Sequence, residues 1–115
     1  MARKRIYYIG NTHIDHTWLW NWTEGYDEAK AAFQAVLDRM EEFPEFRFTC
    51  SSTLLYEWVE KNEPELFARI VEKVREDRWQ IVGGWAVQSD NNIPSGESFC
   101  RQGLYGQRYF ASRFG

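Results

Sequence analysis

The chain has 115 residues, a net charge of −3, 27% charged residues and 43% hydrophobic residues, which suits one small soluble globular domain. That balance excludes a nucleic-acid binder relying on a basic surface, and no apolar stretch approaches the roughly 20 residues of a membrane span. Aromatic residues reach 17%, with six Trp, which composition reads as a core rich in large rings and which a carbohydrate site would also use, since aromatic faces pack on sugar C–H faces.

In chain order, the basic start Met1-Ala2-Arg3-Lys4-Arg5 is like the first region of a signal peptide. The apolar run after it is far too short for one, and no cleavage site follows. Residues 5–9 are β-branched and aromatic and predict a first strand, ended by Gly10-Asn11. A loop from Asn11 to about Tyr26 holds His13, Asp15, His16, Trp18, Trp20 and Trp22. Asp27 is a candidate N-cap for a helix over 28–42, with Ala32, Phe33, Val36, Leu37 and Met40 on one face. Phe43-Pro44 stops it.

Residues 46–50 alternate and predict a second strand. Ser51-Ser52-Thr53 supplies caps for a helix from Leu54, buried through Leu54, Leu55, Trp58 and Val59. Pro64 suits the first turn of a further helix to about Asp77, buried through Leu66, Phe67, Ile70, Val71 and Val74. Residues 79–82 predict a third strand closed by Gly83-Gly84. Ser95, or else Ser98, caps a last helix over 97–113, with Phe99, Leu104 and Phe110 on its buried side. Cys50 and Cys100 make no disulfide framework and read as free thiols of the cytoplasm, both small core residues. The acidic series Glu41-Glu42-Glu45 and Glu57-Glu60-Glu63 read as solvated helix faces.

The order is βα-βα-βα, an α/β class with a parallel sheet and right-handed crossovers. Ligand sites in such sheets lie at the C-terminal ends of the strands, where topology puts His13, Asp15 and Asp90. Three strands make a thin parallel sheet, which is normally buried and continued by more strands. The chain stops after a helix where a next strand is expected, so it reads as the first portion of a larger α/β barrel.

Alternate residues of an extended segment point the same way, so His13 and Asp15 share one side while the adjacent His16 faces the other. HxD alone also fits a histidine in a turn with an Asp cap. Ser89-Asp90-Asn91-Asn92 alone is ordinary turn chemistry. Together, after the first and third strands, His13, Asp15 and Asp90 make a candidate zinc site that lacks a fourth ligand. Trp18, Trp20 and Trp22 share a face if their stretch is extended, or plug the space under the loop. Gly83-Gly84 lacks the spacing and the Lys-Ser/Thr of a nucleotide loop, and no Gly-x-Ser-x-Gly is present. Glu97 suits the positive end of the helix dipole.

His13-Ile14-Asp15-His16-Thr17-Trp18-Leu19-Trp20 resembles the opening motif of glycoside hydrolase family 38 α-mannosidases. Gly83-Gly84 through Asp90, then Asn92, Pro94-Ser95-Gly96-Glu97-Ser98 and Arg101-Gln102, is similar to that family's nucleophile segment. Gly106-Gln107-Arg108-Tyr109-Phe110, Pro44-Glu45-Phe46 and Pro64-Glu65-Leu66-Phe67 continue the resemblance over nearly the whole chain. It implies that residues 1–115 are an incomplete N-terminal portion of a catalytic (β/α)7 barrel holding one zinc ion. It implies His13 and Asp15 as zinc ligands, Asp90 as zinc ligand and catalytic nucleophile, and Trp18 in the sugar subsite. The implied reaction is retaining hydrolysis of terminal α-D-mannosides through a glycosyl-enzyme. Asn11 stands where many members have a His, and Gln88-Ser89 replaces the Glu-Pro often seen before the nucleophile. The family's fourth zinc ligand and its acid/base residue match nothing in these residues, so the isolated chain is expected to be inactive.

The implied partner is an α-mannoside or a mannose-containing oligosaccharide, with no nucleic acid and no membrane. Two other readings stay open from the residues. One is a metal-dependent polysaccharide deacetylase of similar barrel shape, in which the metal activates water. The other is a non-catalytic fragment that forms a homo-oligomer through its open sheet edge.

Overall fold

The computed structural model describes residues 4–115, so the start of the basic segment, Met1 to Arg3, lies outside the described residues. The elements run β1 (Gly10–Asn11), α1 (Trp22–Glu42), β2 (Phe48–Cys50), α2 (Thr53–Asn62), α3 (Pro64–Arg75), β3 (Trp79–Ile81) and α4 (Gly96–Phe114). The three strands form one parallel sheet in the order β1-β2-β3. Gly10 pairs with Phe48, and Phe48 in turn with Trp79. This is the parallel α/β arrangement that the alternation of strand and helix predicts.

The core follows from helical periodicity. Ala29, Phe33, Leu37 and Met40 of α1, Leu55, Tyr56 and Val59 of α2, and Leu66, Phe67 and Ile70 of α3 are all buried in one cluster. Trp79 of β3 sits at its centre, with its ring centroid 4.6 Å from that of Phe48 and 5.1 Å from that of Phe33, both edge-on. Its indole N–H donates to the buried Tyr56 hydroxyl at 2.9 Å, and that hydroxyl donates to the Cys50 carbonyl at 3.0 Å. No buried polar atom in this Trp-Tyr-strand chain is left unpaired, which is the condition for placing Tyr and Trp inside a core.

Several expectations are corrected. Residues 5–9 pair with no strand, and Ile6, Tyr7, Tyr8 and Ile9 are exposed; the β-prone run has no neighbour to bond, and pairing begins only at Gly10-Asn11. Helix α1 starts at Trp22, not at Glu28, because Asn21 caps it. The Asn21 side chain accepts from the N–H groups of Thr23 and Glu24, and the Glu24 carboxylate accepts from the Asn21 N–H at 3.0 Å, a complete capping box. Ser52 does occupy the N-cap of α2, but its side chain bonds nothing there. The Thr53 and Leu54 N–H groups donate instead to the carbonyls of Trp85 and Ala86, both at 3.1 Å. Those bonds satisfy orphan donors of the helix end and fasten the β3–α4 loop to it.

Cys50 is buried, but Cys100 is exposed on α4, and Leu104 is nearly half exposed; α4 buries Gly106 and Phe110. The second acidic series is not a purely solvated face. Glu60 accepts from Tyr109 Oη at 2.9 Å and from Arg113 Nε at 2.6 Å, tying α2 to α4. Glu63 accepts from Tyr26 Oη at 2.9 Å and from Lys30 Nζ, tying the α2–α3 junction to α1.

Candidate metal and sugar site

The site lies at the C-terminal ends of the strands, where segments 11–20 and 82–92 leave β1 and β3. The first segment is held from both sides. The Asn11 amide donates to the Thr49 carbonyl and hydroxyl, both at 3.0 Å, and Trp20 Nε1 donates to the Asp15 carbonyl at 3.2 Å. Gly25 of α1 is buried against the backbone of this segment; a Cβ there would lie 2.5 Å from the His16 carbonyl oxygen. The second segment is held by α4 as well as by α2. The Ala86 N–H donates to the Gln102 carbonyl at 3.3 Å, and the Val87 N–H to the Gln102 side chain at 3.0 Å. At Gly84 (φ 124°) the loop passes so close to Gly106 that a Cβ on the helix would meet the Gly84 carbonyl, which explains a glycine inside α4.

His13 and Asp15 come together as their alternate spacing predicts, with His13 Nε2 3.1 Å from Asp15 Oδ1 and both side chains substantially exposed. They share a cavity of about 380 Å³ with Ile14, Trp20, Glu24 and Glu28. The other ring nitrogen, Nδ1 of His13, bonds Oε1 of Gln88, and Nε2 of Gln88 donates to Ser51 Oγ at 2.6 Å. Gln88 and Ser51 line a second cavity of about 230 Å³, beside Gly83, Gly84 and Trp85. The Ser51–Gln88–His13–Asp15 run therefore crosses the ends of all three strands.

His16 turns the other way. Its ring packs edge-on against Trp58 at 5.3 Å, its Nε2 is buried without a partner, and burial holds its pKa below the usual value. The three tryptophans do not line up, because residues 16–20 bend rather than extend. Trp22 is the first residue of α1 and packs 6.1 Å from Trp58. Trp20 lines the larger cavity, and Trp18 is 68% exposed.

Asp90 is exposed in the loop after β3. Its Oδ1 accepts from the Asn92 N–H at 2.6 Å, the local turn its sequence allows, and it lines neither cavity. Among the described residues, no group of three or more His, Cys, Asp or Glu side chains is arranged to hold a metal ion. The His13–Asp15 pair itself fits zinc. Two donors about 2.0–2.1 Å from one tetrahedral ion lie roughly 3.3 Å apart, close to the 3.1 Å seen between Nε2 and Oδ1. An imidazole and a carboxylate are also ordinary zinc donors. That Asn11, Ser51 and Gln88 bond around these segments and that Glu24 and Glu28 line the larger cavity was not legible from sequence. The capping pattern Asn21-x-x-Glu24 could have revealed the helix end that brings Glu24 and Glu28 there.

Residues 3–115 match the family model described as the N-terminal domain of glycosyl hydrolases family 38. The chain is 41% identical over 114 residues to "Alpha-mannosidase G" of Dictyostelium discoideum, covering 99% of this chain and 10% of that protein. It is 38% identical over 111 residues to "Alpha-mannosidase" of Saccharomyces cerevisiae (96% and 10%), and 40% identical over 114 residues to "Alpha-mannosidase 2C1" of Homo sapiens (99% and 11%). The chain thus spans about a tenth of the length of the curated relatives it matches. Its fold resembles the crystal structure of an alpha-mannosidase from Enterococcus faecalis V583, with a TM-score of 0.82 at 23% identity over 91% of this chain and 12% of that one.

Proposed function

The chain belongs to glycosyl hydrolase family 38, and from that membership we propose that it is the opening portion of the catalytic domain of a zinc-dependent, retaining α-mannosidase. The observation that carries this reading is an identity near 40% to proteins named α-mannosidases along almost the whole chain. The proposed domain is a (β/α)7 barrel that continues the three parallel strands, and its substrate is a terminal α-D-mannoside in a mannose-containing oligosaccharide. The free thiols Cys50 and Cys100 suit a reducing compartment such as the cytoplasm. No helix among the described residues is long and apolar enough to cross a membrane.

In this reading His13, Asp15 and Asp90 would hold the zinc ion, which when bound supplies a Lewis acid for adjacent sugar hydroxyls. The turn closed on the Asn92 N–H uses Asp90 Oδ1, so Oδ2 would be the oxygen offered to the ion. Trp18, with its exposed ring, would stack on the sugar. The Asp90 carboxylate attacks the anomeric carbon as the glycosidic C–O bond breaks, and the leaving oxygen takes its proton from an acid that matches nothing in these residues. Water, giving its proton to that same acid/base residue, then attacks the anomeric carbon on the face opposite Asp90, the bond to the Asp90 carboxylate breaks, and mannose leaves with its configuration retained.

Asp90→Asn in the full-length enzyme is expected to abolish turnover of aryl α-mannosides while leaving the fold intact. Release of acetate from an acetylated polysaccharide, with mannosides untouched, would favour the deacetylase chemistry instead. Unchanged mannoside turnover in Asp90→Asn would remove the nucleophile assignment.

A further inference from the structure

We propose that Gln88 is a positioning residue for the metal: its side-chain oxygen accepts a hydrogen bond from Nδ1–H of His13 and so selects the imidazole tautomer whose Nε2 is free to bind an ion. This rests on the zinc reading given above. The ring of His13 is held from both sides, by Gln88 Oε1 at Nδ1 and by Asp15 Oδ1, 3.1 Å from Nε2. The Gln88 amide is itself fixed, because its nitrogen donates to Ser51 Oγ at 2.6 Å where β2 ends. A residue 75 positions away thus ties the β3 loop to the first segment at its proposed ligand.

The hydrogen-bond inventory explains why an amide fits there. Neutral histidine has one donor and one acceptor nitrogen. With the Nδ1 proton given to Gln88, the Nε2 lone pair faces a carboxylate oxygen at 3.1 Å. An ion bound there would bridge the two acceptors. Metal-bound histidines nearly always give their other N–H to such an outer partner, and losing it typically costs about 10–100-fold in metal affinity.

The test is the zinc dissociation constant of the full-length protein, measured by competition with a chromophoric chelator, beside the melting temperature of the metal-free form. Gln88→Leu removes the acceptor and is expected to weaken zinc binding about 10–100-fold with little change in metal-free melting. Gln88→Glu keeps an acceptor at the same reach and is expected to hold zinc about as tightly as wild type. A purely structural role for the side chain would instead lower the metal-free melting temperature of Gln88→Leu. Equal affinity in Gln88→Leu and wild type, or equal losses in Leu and Glu, overturns the assignment while leaving the zinc reading intact. A wild-type protein that takes up no zinc overturns both.

Discussion

Residue by residue, the clearest chemistry outside the site is the contrast between two thiols. Cys50 is 1% exposed on β2, and burial pushes its pKa from 9.0 to about 11. Cys100 is exposed on α4. A raised folded-state value means that the unfolded chain loses the proton first as pH climbs. The contribution is therefore whole below pH 9 and is lost between about 9 and 11. Denaturant titrations at pH 8 and pH 10.5 should show the wild type losing roughly 2 kcal/mol more than Cys50→Ala across that interval. Equal losses would mean that the thiol is not held neutral by its surroundings. The closeness of His13 and Asp15 was legible in the sequence, and the exposure of Cys100 was not. An HxD pair meets through local geometry alone, whereas exposure on a helix depends on which face the rest of the fold covers.

At the scale of elements, helices were easier to read than strands. The faces of α1 and α3 follow the 3.6-residue period, and Pro64 opens α3 at its first position. A strand exists only by pairing, and the apolar run at residues 5–9 has no partner among the described residues. The start of α1 was missed because Gly25 and Tyr26 look like loop residues, although Asn21 and Glu24 stand at capping-box spacing. Gly25 has a tertiary reason, the backbone of His16 lying against it. Alanine would gain about 1 kcal/mol of helix propensity, yet its Cβ would lie 2.5 Å from the His16 carbonyl oxygen. The site segment or the helix must then shift, at a cost of typically 1–3 kcal/mol. Gly25→Ala is expected to lower the melting temperature; an unchanged or higher value would show that α1 does not brace that segment as tightly as drawn.

For the whole molecule, the parallel order and the placing of segments 11–20 and 82–92 at the strand ends were readable from the alternation of elements, because crossover handedness and side-chain period leave few arrangements. The relay through Gln88 was not readable, since it joins residues 75 apart through a loop whose path is set by α2 and α4. Asp90 shows the limit most sharply: the turn closed on the Asn92 N–H uses one carboxylate oxygen, and sequence spacing does not place the other. Among the described residues the sheet has three parallel strands, and the chain spans about a tenth of the length of its curated relatives. The most direct test of the account is to treat the full-length enzyme with a slowly hydrolysed fluorinated mannosyl fluoride and map the covalent adduct by mass spectrometry. The account predicts one mannosyl ester, carried on Asp90. A stable ester on a different carboxylate would contradict it.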